Sequence, residues 1–207
     1  MDTLRTLELI QSDTKESFDH FLTWRVATLS DCESISTLVH SGYRAEASHQ
    51  GWTTEDALVG GNRTDPDLLA DIIQSKDNII LLFFGESENI LIGCVHLQYE
   101  SELRRAWLGM FTVRPDRQGR GYGKQILSTA ETYAQDTWRA EFMDMRVIVQ
   151  RPELIAFYNR HGYLDTNQRQ AFPPDNPRLG IAKRKGLEIC VLRKGLKLSE
   201  KKTDLNT

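Results

Sequence analysis

The sequence predicts a single α/β (α+β) domain. Three observations carry this: a length of 207 residues, a globular composition, and an alternation of strand-like and helix-like segments that no linker interrupts. Hydrophobic residues make up 40% and charged residues 27%, so there is apolar side chain enough for a core and no charge excess of the disordered kind. Lys plus Arg (26) against Asp plus Glu (29) leaves a net charge of −3, which gives no global field for nucleic acid or an anionic membrane. The longest apolar run, Ile79 to Phe84, is far short of the about 20 residues that a helical membrane span needs. Asp2 stands where a secretory leader carries basic residues. Cys32, Cys94 and Cys190 show no metal-ligand spacing, and none has a neighbouring histidine or a helix-start setting that would activate it. These features read as a cytoplasmic protein with no metal.

In order, residues 1–20 read as an N-terminal arm or short helix, 21–194 as the domain, and 195–207 as a charged C-terminal tail. Phe21 to Ala27 reads as a strand, and Ser30 as the N-cap of a helix with Ile35, Leu38 and Val39 on one face. A polar stretch from His49 to Asp67, anchored by Trp52, precedes a helix whose face carries Leu68, Leu69, Ile72 and Ile73. Asn78 to Phe84 and Ile90 to Tyr99 flank Gly85 to Asn89 as a β-hairpin, and Arg105 to Val113 is the next strand, stopped by Pro115. A glycine-rich turn leads into a helix ending near Trp138. Met143 to Val149 reads as a buried strand. Pro152 opens a helix with Leu154, Ile155, Phe157 and Tyr158 on its apolar face, and Gly162 stops it. Asp165 to Lys185, with three prolines, reads as a long loop before a last strand at Leu187 to Leu192.

Gly119, Gly121 and Gly123 alternate with Arg120 and Tyr122 between a strand and a helix, so several backbone N–H groups can converge on an anion at a positive helix end. Two familiar phosphate loops fail on spacing. A Walker A loop would need glycine at 118 and Ser or Thr at 125, where the chain has Gln118 and Gln125. A dinucleotide fingerprint starting at Gly119 would need glycine where Lys124 stands.

The string from Val113 through Arg117, Gln118, Gly121 and Gly123 resembles the acyl-CoA-binding signature of the GNAT-type N-acetyltransferases, whose pattern is Gln or Arg, two residues, Gly, one residue, Gly or Ala. A second segment, Met145-Arg-Val147 followed by Arg151 to Tyr163, looks like the strand and helix that come next in that family. The resemblance covers about residues 22 to 193. It implies a mixed, mostly antiparallel sheet of about 6–7 strands with about 4 helices, splayed between the fourth and fifth strands. It also implies acetyl-CoA as cosubstrate, its pyrophosphate on the N–H groups of Gln118, Gly119, Arg120, Gly121, Tyr122 and Gly123, with Arg117, Arg120 and Lys124 adding charge. The pantetheine would lie along Phe111, Thr112 and Val113, where a backbone N–H would polarise the thioester. Tyr158 falls at the family's general-acid position. Arg151 stands where the family commonly has Asn, so its side chain would reach a phosphate in place of the usual contact.

The function implied is transfer of acetyl from acetyl-CoA to a primary amine of a small-molecule or peptide acceptor, by direct attack in a ternary complex. The alternative is a non-catalytic acyl-CoA-binding or regulatory module. A base for the amine is not singled out; Glu102 and Glu100 precede the strand with the oxyanion site, and His96 sits in an alternating strand pattern. Trp52, Glu55 and Asp65 fall where the family builds its acceptor pocket, with Trp52 walling an aliphatic amine and Glu55 or Asp65 holding its charge; the bland reading has Asp65 capping the next helix. The prolines from 172 to 177 would complete or cover that pocket. Two copies pairing through an edge strand, as a homodimer, would suit such a sheet. The charge near Arg114 to Lys124 is local and lacks an aromatic stacking platform, which argues against nucleic acid.

Overall fold

A computed structural model describes residues 21–44, 46–85 and 90–196 of the chain. The expected arm at 1–20, the turn residues 86–89 and the tail from 197 lie outside the described residues. The elements in chain order are β1 (Leu22–Val26), α1 (Cys32–Tyr43), β2 (Val59–Gly60), α2 (Pro66–Gln74), β3 (Asn78–Gly85), β4 (Leu91–Glu100), β5 (Arg105–Val113), α3 (Tyr122–Trp138), β6 (Phe142–Ile148), α4 (Pro152–Arg160), β7 (Leu164–Ala171), β8 (Ile181–Ala182) and β9 (Glu188–Gly195). Seven strands form one sheet in the order β1-β3-β4-β5-β6-β9-β7, and β2 pairs with β8 as a separate ribbon. Within the large sheet only β5 and β6 pair in parallel.

Ile80, Leu81, Leu82 and Phe83 alternate across β3 and all are buried, so helices must cover both faces of the sheet. Leu81 and Phe83 pack with Ile126, Leu127 and Ala130 of α3 and Tyr158 of α4, and Ile80 and Leu82 with Ile35 and Val39 of α1 and Leu69 of α2. None of these helices is long and apolar enough to cross a membrane.

The sheet opens at one place. β5 and β6 pair from Arg105↔Phe142 to Leu108↔Met145 and no further, although β5 continues to Val113 and β6 to Ile148. This is the splay between the fourth and fifth predicted strands. A bulge prepares it: Cys94 faces Thr112 and His96 faces Gly109, so Val95 is opposed by both Met110 and Phe111. Met110 takes φ 45° there, a left-handed conformation that costs a non-glycine residue about 1–2 kcal/mol.

Four local readings are corrected by the structure. Ser30 is not the cap of α1. Leu29–Asp31 form a 3-10 turn in which the Asp31 carboxylate accepts the Thr28 N–H at 2.7 Å, and Asp31 is the N-cap of α1. Arg25 clamps that carboxylate through two bonds of 2.8 and 2.7 Å and, foremost among the causes, holds it well below the usual carboxylate range. Cys32 does open a helix, α1, yet burial and the neighbouring Asp31 push its thiol up, so it is not an activated nucleophile. The segment read as one long loop contains β7, a polar edge strand paired only with β9, and the short β8. With one neighbour and almost every side chain exposed, β7 has no apolar alternation to announce it. Finally, β9 runs to Gly195 and Leu196 N–H donates to the Glu141 carbonyl at 2.8 Å, so the domain extends past 194.

Asp144 on β6 is fully buried and accepts from Arg193 Nε and a second Arg193 nitrogen, both at 2.7 Å, and from Arg105 at 3.4 Å. Removing the carboxylate leaves the guanidinium groups facing a hole. Asp144→Ala is expected to cost about 3 kcal/mol of unfolding free energy in urea titrations. A loss under about 1 kcal/mol would show that solvent already screens the cluster.

Candidate active site

Pro115 sits in the first turn of a short helix (Pro115–Arg117) that ends β5, and Gln118 to Gly121 turn the chain into α3. Gly119 and Gly121 have φ of 76° and 83°, and a Cβ on either would meet nothing within 4 Å. The glycines are therefore required by backbone conformation, and the main chain around them stays open to a ligand. Gly121 is the N-cap of α3 and brings no side chain that would cap it, so the positive end of the helix faces the turn. This open main chain fits the diphosphate of acetyl-CoA.

A cleft of about 320 Å³ runs from this cradle to the end of β5. Of the residues expected to hold the cosubstrate, Phe111, Thr112, Val113, Gln118, Gly119, Gly121, Gly123, Lys124, Arg151 and Tyr158 line it. Three do not. Arg117 lies against Asp116 at 3.6 Å, Arg120 is exposed beyond the cleft, and the Tyr122 side chain is buried in the core, leaving only its main chain at the cradle. The Gln118 side chain is a brace: its Nε2 donates to Val113 O at 3.0 Å while its Oε1 accepts the Trp52 N–H at 2.9 Å.

Arg114 N–H donates across to Ile92 O on β4, so by strand alternation the main-chain groups of Phe111 and Val113 face away from β4 and into the splay. Their carbonyls bear this out, since Phe111 O accepts from Tyr43 Oη at 3.1 Å and Val113 O from Gln118. The N–H groups of the same two residues thus point into a gap where no strand pairs, a setting suited to hold a thioester oxygen.

A second cavity of about 510 Å³ lies on the other side of Tyr158, over the bulge and the diverging end of β6. Tyr43, Phe111, Arg151, Leu154 and Tyr158 line both spaces. Tyr158 is buried between Phe111, Phe157 and Tyr163, at ring distances of 6.1, 5.3 and 5.8 Å. Burial raises its phenol well above the ordinary value, and Tyr43 adds to this, so it carries its proton at neutral pH.

The residues expected in the acceptor pocket divide. Trp52 lies in the first cleft, 5.9 Å from the Phe157 ring, with the residues expected to hold the cosubstrate. Glu55 lines the second cavity but is held by Arg44 at 2.8 Å and by Arg151 at 3.5 Å. Asp65 lines neither; it caps α2 by accepting Leu68 N–H at 2.9 Å and pairs with Arg178 at 2.5 Å, which holds its carboxyl down at about 2. The Pro173 and Pro174 loop does close one side of the cavity.

The acids and the histidine considered as bases stand elsewhere. Glu102 is exposed in the turn before β5, at the opposite end of that strand from the cleft. Glu100 is bonded to Arg105 and to Trp107 Nε1. His96 shares a 2.8 Å hydrogen bond with Asn78, and burial, with Arg63 nearby, pushes its pKa down to about 4. Arg151, in turn, reaches Thr53 Oγ1 at 2.6 Å and pairs with Glu55 and Glu153, each at 3.5 Å, so its charge is shared with these carboxylates.

Three residues of the site were not singled out from the sequence: Tyr43 at the junction, and Arg44 and Arg146 in the second cavity; Arg63, which also lines it, stands in the segment before Asp65 that the sequence places at the acceptor pocket. Tyr43 ends α1 and Arg146 interrupts an apolar strand, and the latter is a signal that an alternation count can find. Among the described residues no group of three or more His, Cys, Asp or Glu is placed to hold a metal ion.

Residues 47–163 match the acetyltransferase (GNAT) family. Among solved structures, a spermidine N-acetyltransferase from Vibrio cholerae in complex with CoA and spermine superposes with a TM-score of 0.62 at 16% identity, over 86% of this chain and 96% of the other. A chimera of the Vibrio cholerae spermidine N-acetyltransferase gives 0.62 at 16% identity over 84% and 95%, and a dodecameric form of the Vibrio cholerae enzyme 0.60 at 15% over 84% and 94%. At these identities the likeness is one of fold. No curated protein matches in sequence.

Proposed function

Because the chain belongs to the acetyltransferase (GNAT) family, we propose that it transfers acetyl from acetyl-CoA straight to an amine bound beside it, with no covalent enzyme intermediate. The observation that carries this is the position of Tyr158, buried and protonated, in the wall shared by two cavities. Acetyl-CoA supplies an activated acyl group on a thiol leaving group. The cradle from Gln118 to Gly123 and Lys124 binds its phosphates, and the open edge of β5 takes its pantetheine as a strand-like partner. N–H groups at Phe111 and Val113 polarise the thioester carbonyl as the amine attacks its carbon. As the new C–N bond forms and the C–S bond breaks, Tyr158 gives its phenolic proton to the departing sulfur, the amine proton leaves to solvent, and solvent returns a proton to Tyr158, so that no net proton is released.

The second cavity takes the acceptor. Its lining carries Arg44, Arg63, Arg146 and Arg151 against the single carboxylate Glu55. Such surroundings disfavour an ammonium and lower its pKa, so an entering amine gives up its proton without a dedicated carboxylate base. The amine ligand of the Vibrio cholerae structure supports an amine acceptor as a class. Three buried, unpaired cysteines among the described residues support a reducing, cytoplasmic setting.

The test is calorimetric titration with acetyl-CoA together with CoA thiol release over a panel of amines. Saturable binding with acceptor-dependent release supports the reading. Binding with no release from any amine supports the non-catalytic module, and absent binding removes the cradle assignment itself.

A further inference from the structure

Arg44 is paired with Glu55, and Arg151 lies between Glu55 and Glu153, 3.5 Å from each. Arg63 and Arg146 have no ion pair: among the described residues neither has a carboxylate within 4.0 Å nor a hydrogen bond, and the carboxylate that feels the charge of Arg146, Glu100, is itself bonded to Arg105 and Trp107. Each is held instead by an aromatic face. The Arg63 guanidinium lies 5.5 Å from the Tyr43 ring centroid, and that of Arg146 lies 4.0 Å from the Trp107 centroid. Stacking fixes a guanidinium in place and leaves its N–H edge free to donate.

Both arginines line the second cavity and also the adjoining opening between α2 and the β4–β5 face, so they flank the acceptor's way in. Gly109, between them on β5, keeps that passage wide, since a Cβ there would touch only His96, at 3.7 Å. His96 adds no charge at neutral pH. Asp71 lines the outer opening but lies beyond ion-pair distance of either arginine. A polycationic acceptor would enter against this field, while an anionic group would find two preorganised donors.

We infer that the acceptor is an amine that also carries a carboxylate, bound by Arg63 and Arg146 while its amino group reaches the junction at Tyr158. This rests on the acetyltransferase reading above and narrows it to a substrate class. The carboxylate can belong to a free amino acid or to the C-terminus of a short peptide.

The experiment compares CoA thiol release with glycine, β-alanine, 4-aminobutyrate, aspartate and glycyl-glycine against release with the matching carboxamides and with spermidine. Acids are expected to exceed their amides by at least about tenfold in kcat/KM, the size of one lost charge-assisted hydrogen bond pair. Glycyl-glycine against glycine separates peptides from free amino acids, and the best chain length of the ω-amino acids reports the distance from the carboxylate to the amine. Arg63→Gln and Arg146→Gln are each expected to shrink the acid-to-amide ratio toward unity while acetyl-CoA affinity stays unchanged. Should a variant fold poorly, its acetyl-CoA titration reveals it, and the ratio in the unaltered protein still decides. Equal or better turnover of the amides or spermidine, or no turnover of any acid by protein that binds acetyl-CoA, overturns the inference and leaves the cofactor site intact. Failure to bind acetyl-CoA is instead the failure of the reading beneath it.

Discussion

Tyr158→Phe is expected to lower kcat by about 10²- to 10⁴-fold, the usual range for removing a positioned general acid, with acetyl-CoA affinity little changed. The substitution removes one oxygen and keeps the ring that packs among Phe111, Phe157 and Tyr163, so the helix face and the cleft wall stay as they are. Its pH dependence follows from sign. Burial raises the phenol above its ordinary value of about 10, so the protonated, working form persists through neutral and moderately alkaline pH. In the unaltered protein the rate therefore climbs with pH as the acceptor amine loses its proton, and no fall assignable to Tyr158 appears below about pH 10. Steady-state kinetics with calorimetry decide the matter; an unchanged kcat would assign the phenol to packing alone.

Gly121→Glu is expected to abolish detectable acetyl-CoA binding. At φ 83° any side chain adds about 1–2 kcal/mol of strain at the N-cap of α3, and a carboxylate there opposes the phosphates for which the helix N-terminus is suited. The space around the position is open, so the effect comes from conformation and charge and not from a clash with the protein's own atoms. Gly121→Ala separates the two causes: it keeps the strain, removes the charge, and should weaken binding by about tenfold. Circular dichroism confirms that both variants fold. Full affinity in Gly121→Glu would move the phosphates away from this turn.

Much of the architecture was legible because its causes are local. The runs of β3 and β4, the stripe of α3 and the glycines at 119 and 121 each obey a period or a steric rule that acts within a few residues. β7 escaped because an exposed edge strand needs no apolar alternation, and its pairing with β9 is a long-range fact. The N-cap moved from Ser30 to Asp31 because Arg25, on another element, holds that carboxylate.

The site divides along the same line. The glycine turn and Tyr158 belong to motifs whose residues lie close in sequence, and the sequence by itself determined the family and marked the proposed cradle and acid. The second cavity, the proposed acceptor site, gathers residues from α1, the turn before α2, β5, β6 and the proline loop, which are far apart along the chain. That Asp65 caps α2 was one of two readings the sequence offered, but only folding could show that it is also paired to Arg178, that Glu55 is spoken for by two arginines, and that Glu102 stands at the wrong end of β5. Whether a charged side chain is free or neutralised depends on what the tertiary structure brings within about 4 Å of it, and Coulomb's law gives that distance no counterpart in the sequence.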